Sequence, residues 1–207
     1  DYIFYMDTDA VVMNFNVHLE RFIALAPTAN VLLTEDAHGL NTGMMLLRSS
    51  EWTKTFLQTA FNQDHMALHD TSPDGIAYPF EYEQRAVHFM WSTDFWLERG
   101  LPEYPDAETV RKNVALFPQC AFNSYALHPL VLLPQEQWKA AQYARGDFII
   151  HFAGVKGETK HNMMFAYLDK ADSIFRAEQE KEKSVLSGLV DSGSMTPLLE
   201  STQLRRR

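Results

Sequence analysis

The stretch that most constrains this chain comes almost first: Ile3-Phe4-Tyr5-Met6-Asp7-Thr8-Asp9-Ala10-Val11-Val12. Apolar, β-branched and aromatic residues flank Asp-Thr-Asp, and such a run reads as a short buried strand. Alternation along a strand points Asp7 and Asp9 to one side and Thr8 to the other. Two carboxylates leaving a strand end together repel unless a cation or a shared proton lies between them. Hard oxygen ligands suit Mg2+ or Mn2+, and such ions usually also hold substrate phosphates. The stretch reads either as a metal-bridged diphosphate site or as a strand followed by an acidic surface turn. The rest of the chain has to decide.

With 207 residues, the chain suffices for one domain with a sizeable core. A net charge of -9 argues against nucleic acid or an anionic membrane as the main partner. Cys120 is the only cysteine, so no internal disulfide forms, and the redox compartment stays open. No apolar run approaches bilayer-spanning length and no signal peptide is visible. The first residues already lie inside the expected core strand. The expectation is therefore the C-terminal portion of something longer, with any membrane anchor upstream.

Further along, residues 18–25 read as a short helix with Leu19, Phe22 and Ile23 on its apolar face, and residues 31–34 as a second strand. Leu40-Asn41-Thr42-Gly43 then leads into the apolar run Met44-Met45-Leu46-Leu47. Gly43 allows close backbone approach. Asn41 and Thr42 either hydrogen-bond a sugar hydroxyl or close a turn. A helix capped by Ser50 follows, with Trp52, Phe56, Leu57 and Phe61 on its buried side. Within the polar residues 62–80, His65 and His69 have zinc-hydrolase spacing, but Met66 stands where that motif needs Glu, so a solvated loop is the reading.

Glu81, Tyr82, Glu83 and Gln84 open a helix whose Ala86, Val87, Met90 and Trp91 face inward. Its acids complement the helix dipole and are also placed to enter a cleft. Residues 114–117 form another strand, and Pro118-Gln119-Cys120-Ala121-Phe122-Asn123-Ser124-Tyr125 is a loop of neutral hydrogen-bonding groups. It either satisfies backbone groups or lines a sugar site. The last strand, Phe148-Ile149-Ile150-His151-Phe152, exits through Ala153-Gly154-Val155-Lys156-Gly157, whose amides and ammonium suit phosphate. A helix carrying Met163, Met164, Tyr167, Leu168, Ala171, Ile174 and Phe175 comes next. A folded domain is thus expected over residues 1–176 and a charged, disordered tail over 177–207.

Five blocks now occur in one order: Asp-Tyr-Ile-Phe-Tyr-Met-Asp-Thr-Asp-Ala, Leu-Asn-Thr-Gly-Met-Met-Leu-Leu-Arg-Ser-Ser-Glu-Trp, Glu-Gln, Phe-Pro-Gln-Cys-Ala-Phe-Asn-Ser-Tyr, and Gly-Asp-Phe-Ile-Ile-His-Phe-Ala-Gly. The chain from Asp1 to about Lys156 resembles glycosyltransferase family 34, which contains fungal Golgi α-mannosyl- and α-galactosyltransferases and plant xyloglucan α-1,6-xylosyltransferases. The resemblance implies an α/β GT-A (nucleotide-diphospho-sugar transferase) fold, here its C-terminal portion, with a mixed sheet flanked by helices. The N-terminal nucleotide-binding part would then lie outside this chain.

The resemblance also implies a UDP- or GDP-sugar donor, a glycan or glycoprotein acceptor, and transfer of a hexose or pentose with retention at the anomeric carbon. It implies a lumenal position at the Golgi membrane. Asp7, Asp9 and His151 resemble the family's ligands for Mn2+ (or Mg2+). Gly154 and Lys156 resemble its diphosphate loop, with Asp7 and Gly43 also on the donor side. Asn41, Glu83 and Gln84 resemble residues facing the transferring sugar. Val155 stands where the family usually has Cys. Tyr82 stands where the plant branch has an acid, which leaves xylosyl specificity unassigned.

Two other classes compete. A haloacid-dehalogenase-type phosphohydrolase also starts from an apolar strand and Asp-x-Asp, with the first Asp as nucleophile. It needs clustered acids after a downstream lysine, and Lys156 is followed by Gly157, Glu158, Thr159 and Lys160 instead. The other is a non-catalytic, truncated transferase module. Its pull is weakened by Asp7, Asp9, His151 and Lys156 occurring together.

Overall fold

Strand Gly39–Arg48 lies between two others and is apolar on both faces, as expected for a strand covered on both sides. The computed structural model describes residues 1–36, 39–63, 82–98, 100, 103–126 and 142–191. In chain order these form β1 (Tyr2–Met6), β2 (Ala10–Val12), α1 (Glu20–Leu25), β3 (Val31–Asp36), β4 (Gly39–Arg48) and α2 (Glu51–Phe61). There follow α3 (Tyr82–Trp91), α4 (Asp94–Leu97), α5 (Ala107–Asn113), β5 (Val114–Phe117), a 3-10 turn (Gln119–Ala121), β6 (Ser124–Tyr125), β7 (Ile149–His151) and α6 (Gly157–Asp191).

The strands form two mixed sheets. In the four-stranded sheet, β1 pairs antiparallel with β4, β4 antiparallel with β3, and β3 parallel with β5. In the three-stranded sheet, β7 lies between β2 (antiparallel) and β6 (parallel). Alternation sorts the apolar side chains. Met45 and Leu47 of β4, with Val31 and Leu33 of β3, meet Phe56, Val87, Met90 and Val110 from helices α2, α3 and α5. Met44, Leu46 and Leu32 face the other way, onto Phe22, Phe122 and Phe148. A third cluster, Val11, Met13, Ile150, Phe152 and Ala171, joins the small sheet to α6. The result is the α/β class expected, with mixed sheets flanked by helices.

Four expectations change. The opening stretch is two strands, not one. Asp7 N–H still donates to Gly43 O (2.8 Å) at the end of the β1–β4 ladder, whereas Phe152 N–H donates to Asp9 O (2.9 Å) beside β2–β7. Asp7-Thr8-Asp9 is therefore the turn by which the chain passes from one sheet to the other. β1 is also an edge strand rather than a buried one: Ile3 and Tyr5 are exposed, and the alternate residues Tyr2, Phe4 and Met6 pack inward.

On α2, Phe56 is buried but Phe61 is 81% exposed, because it sits in the last turn, beyond the reach of the sheet. Finally, α6 runs on to Asp191, so residues 177–191 are helical where a disordered tail was expected. Strong helix formers among them, with Glu and Lys interspersed, explain this without tertiary contacts. His65, His69 and Glu81 lie outside the described residues, as does 192–207.

Phe122 is 1% exposed and its ring meets Phe4, Phe22 and Phe117 at centroid distances of 6.5, 5.1 and 5.9 Å. Phe122→Ala is expected to lower unfolding free energy by about 3–5 kcal/mol, measured by urea denaturation.

Candidate functional site

The switch between sheets sets the two carboxylates on different supports, one on each ladder, and both face His151 at the end of β7. His151 Nε2 lies 3.3 Å from Asp9 Oδ1 and 3.7 Å from Asp7 Oδ2. One ligand atom from each of Asp7, Asp9 and His151 lies within 4.8 Å of the others. Residues more than 140 positions apart in the sequence thus meet at one point.

The histidine is held from behind. It is buried, and its Nδ1 lies 2.8 Å from Asn123 Oδ1. Asn123, wholly buried, donates from Nδ2 to Thr34 Oγ1 (3.0 Å), so its oxygen faces the ring. Nδ1 must then carry the proton and donate it to Asn123. Nε2 is left to meet the carboxylates, either with a proton or with its lone pair on a cation. Two carboxylates, one imidazole and no thiolate make a set suited to a hard or borderline divalent cation, so the residues fit the implied metal.

The carboxylates are oriented too. Tyr5 O–H donates to Asp7 Oδ1 (2.9 Å), and burial first, then Asp7 itself, push the Tyr5 phenol up to about 12. Lys160 Nζ donates to Asp9 Oδ2 (2.5 Å). The His151 imidazole first, and then Lys160, hold Asp9 well below the usual carboxylate range, against the opposing effect of burial.

Below the triad lies Gly43. A Cβ built there would stand 2.8 Å from His151 Cε1, 2.9 Å from Asp7 Oδ2 and 3.0 Å from Asn41 Oδ1. Only glycine lets β4 pass this close. Asn41 Oδ1 accepts from Gly43 N–H (2.9 Å), while its Nδ2 donates to Asp36 Oδ2 (3.0 Å) and to Tyr125 O–H (3.1 Å). Tyr125 in turn donates to Asp36 Oδ2 (2.6 Å), and burial and Asp36 push its phenol well above its ordinary value. Asn41 is thus a structural tie under the site as well as a candidate for the sugar.

Glu83 and Gln84 dock onto Thr42. Thr42 Oγ1 donates to Glu83 Oε1 (3.0 Å), and Thr42 N–H points at Gln84 Oε1 (3.3 Å). A backbone N–H can only donate, so the Gln84 oxygen is the end that faces Thr42 and its amide N–H₂ is at the other end. Lys156 and Gly154 lie in the bend between β7 and α6, both exposed, and Gly154 takes the left-handed φ of +73°. Among the described residues, the lysine joined to the triad is Lys160, one helical turn further on.

The sequence model of the galactosyl transferase GMA12/MNN10 family matches residues 24–162. The chain belongs to glycosyltransferase family 34. A relative named as an uncharacterized alpha-1,2-galactosyltransferase, from Schizosaccharomyces pombe, is 24% identical over 153 residues. That alignment takes in 71% of this chain, which spans 37% of that protein's length. Among solved structures, a glycosyltransferase involved in the glycosylation of the major capsid of PBCV-1 aligns with 80% of this chain and 66% of its own. Its TM-score is 0.48 and its identity 16%.

The family 34 match takes in Asn41, Gly43, Glu83, Gln84, His151, Lys156 and Lys160; Asp7 and Asp9 lie ahead of it and rest on the geometry. Two residues of this candidate site escaped sequence reasoning. Asn123 was visible only as one member of a neutral loop. Lys160 carried a faint signal, since a cation in a helix's first turn opposes the helix dipole.

Gly43→Ala is expected to weaken Mn2+ binding at least about tenfold, by displacing Asp7 or His151, with a stability loss of about 1–3 kcal/mol from overpacking. Isothermal titration and urea denaturation read the two effects. Asn123→Leu removes the partner of His151 Nδ1 and of Thr34. Mn2+ affinity is expected to fall about 10–100-fold, with about 1–3 kcal/mol of stability lost.

Proposed function

We propose that this chain carries the metal and sugar site of a retaining glycosyltransferase. In this reading it moves a hexose or pentose from a UDP- or GDP-sugar to a glycan or glycoprotein acceptor. The observation that carries the proposal is the convergence of Asp7, Asp9 and His151 within 4.8 Å, over a strand that only Gly43 allows to approach. Mn2+ or Mg2+ is the cation this donor set suits. When bound, the cation neutralises the departing diphosphate.

This chain's own residues do the rest. Asn123 keeps the His151 ring turned toward the carboxylates, and Tyr5 and Lys160 keep the carboxylates turned toward the ring. Thr42 holds Glu83 and Gln84 beside the strand that passes under the triad, so that the Gln84 amide serves the transferring sugar as a donor. The acceptor hydroxyl attacks the anomeric carbon on the face the diphosphate leaves, and its proton departs with the leaving group. Lys156 and Gly154 supply positive charge and a left-handed turn for the diphosphate. The family resemblance supports retention and a lumenal Golgi location, with membrane attachment through an anchor upstream. No described helix is long and apolar enough to cross a membrane.

The phosphohydrolase alternative has less support. It needs acids beyond the downstream lysine, whereas the residues brought to the Asp pair are His151 and Lys160. Family membership points away from it as well.

A screen for donor hydrolysis over UDP-galactose, GDP-mannose and UDP-xylose, with and without a chelator, tests the reading. Turnover of one donor that stops on chelation and returns with Mn2+ is the expected result; turnover that survives full chelation rejects the metal role. Gln84→Ala is expected to lower turnover by about two orders of magnitude, while the lost Thr42 contact costs at most about 1 kcal/mol of stability. Turnover that falls only in step with melting temperature would give Gln84 a structural role alone.

A further inference from the structure

Lys160 is paired in a way that surface lysines are not. The helix-surface pairs Lys112–Glu108 and Arg176–Asp172 join residues four apart, with side chains more than half exposed. Such pairs are solvated and contribute little. Lys160 instead reaches across the fold from the first turn of α6 to Asp9, with side chains only 30% and 22% exposed. In that turn its charge works against the helix dipole, so helix stability does not account for it.

What Lys160 does account for is the state of Asp9. The two oxygens of that carboxylate are divided: Oδ2 receives Lys160 Nζ at 2.5 Å, and Oδ1 faces His151 Nε2 at 3.3 Å. The lysine therefore fixes the rotation of the carboxylate and leaves Oδ1 toward the centre. It also keeps a full positive charge one carboxylate away from wherever a cation would sit. That charge opposes a free divalent cation and attracts an anion that arrives with it.

We propose that Lys160 is a resident cation of the centre, a positioning residue that orients Asp9 and makes the centre take a divalent cation together with a diphosphate rather than the cation alone. The proposal rests on the metal and donor reading given above. It predicts positive coupling between the two ligands, which is reciprocal: each raises the affinity for the other by the same factor.

The test titrates the protein with Mn2+ alone and with Mn2+ in the presence of inorganic diphosphate, reading protein-bound Mn2+ by equilibrium dialysis against a protein-free compartment holding the same Mn2+ and diphosphate. The wild type, Lys160→Met and Lys160→Arg are compared, each checked by thermal melting. In Lys160→Met, Mn2+ alone is expected to bind about tenfold tighter, because an opposing charge has gone from within a few ångströms. The enhancement by diphosphate is expected to shrink by a similar factor. Lys160→Arg, which keeps the charge, is expected to stay close to wild type.

Wild-type protein in which diphosphate does not strengthen Mn2+ binding would overturn the metal and donor reading, and this inference with it. Coupling in the wild type that Lys160→Met leaves within twofold would overturn this inference alone. Weaker Mn2+ binding in Lys160→Met would overturn it too, reducing the lysine to a prop for Asp9. Should Lys160→Met fail to fold, Lys160→Gln replaces it in the same comparison against Lys160→Arg, with the same outcomes.

Discussion

The structure turns on one convergence: two carboxylates carried by different sheets meet a single buried imidazole. Asp7 is tied by its backbone to the β1–β4 ladder, and Asp9 to the β2–β7 ladder. The turn between them is the junction of the two sheets. Their backbones are fixed while both side chains stay partly open to solvent, and positive charge reaches Asp9 locally. Lys160 supplies it to Asp9, and His151 brings its Nε2 to both acids, each from more than 140 residues further along the sequence. The same convergence that knits the last strand and α6 to the first turn produces the ligand set.

Precision comes from the layer beneath. Asn123 and Thr34, both wholly buried, fix which nitrogen of His151 faces the carboxylates. The Asp36–Tyr125–Asn41 network holds the start of β4 so that Gly43 can pass under the triad. The ring of Tyr125 also meets His151 edge-on, with centroids 5.6 Å apart. Buried polar groups of this kind are costly unless satisfied, and here each contact that satisfies one also orients a ligand. The side chains that face substrate in the proposed reaction therefore inherit their positions from groups that never touch it.

Much of this was legible in the chain. Flanking apolar runs marked Asp7 and Asp9 as ending a strand, the apolar run Met44 to Leu47 behind Gly43 marked the inner part of β4, and His151 stood out within its apolar run ahead of a Gly-Lys-Gly exit. What escaped was whatever depends on contacts between distant segments. Alternation along one strand could not reveal that Asp-Thr-Asp turns from one sheet into another, because both halves have the same apolar character. Phe61 looked buried by helical spacing, yet the sheet ends before it. The length of α6 was underestimated, since charge and serine content mask the helix propensity of residues 177–191. Asn123 and Lys160 are unremarkable by type, and only the long-range contacts of Asn123 with Thr34 and His151, and of Lys160 with Asp9, give them a role.

The central claim is that His151 and the Asp-Thr-Asp turn hold one divalent cation between them. The most direct measurement is electron spin echo envelope modulation on the Mn2+-loaded protein. The account predicts nitrogen coupling from one directly bound imidazole, absent in His151→Ala although that variant still folds. Mn2+ bound with no nitrogen coupling in the wild type, or with coupling unchanged in His151→Ala, would place the cation elsewhere and contradict it.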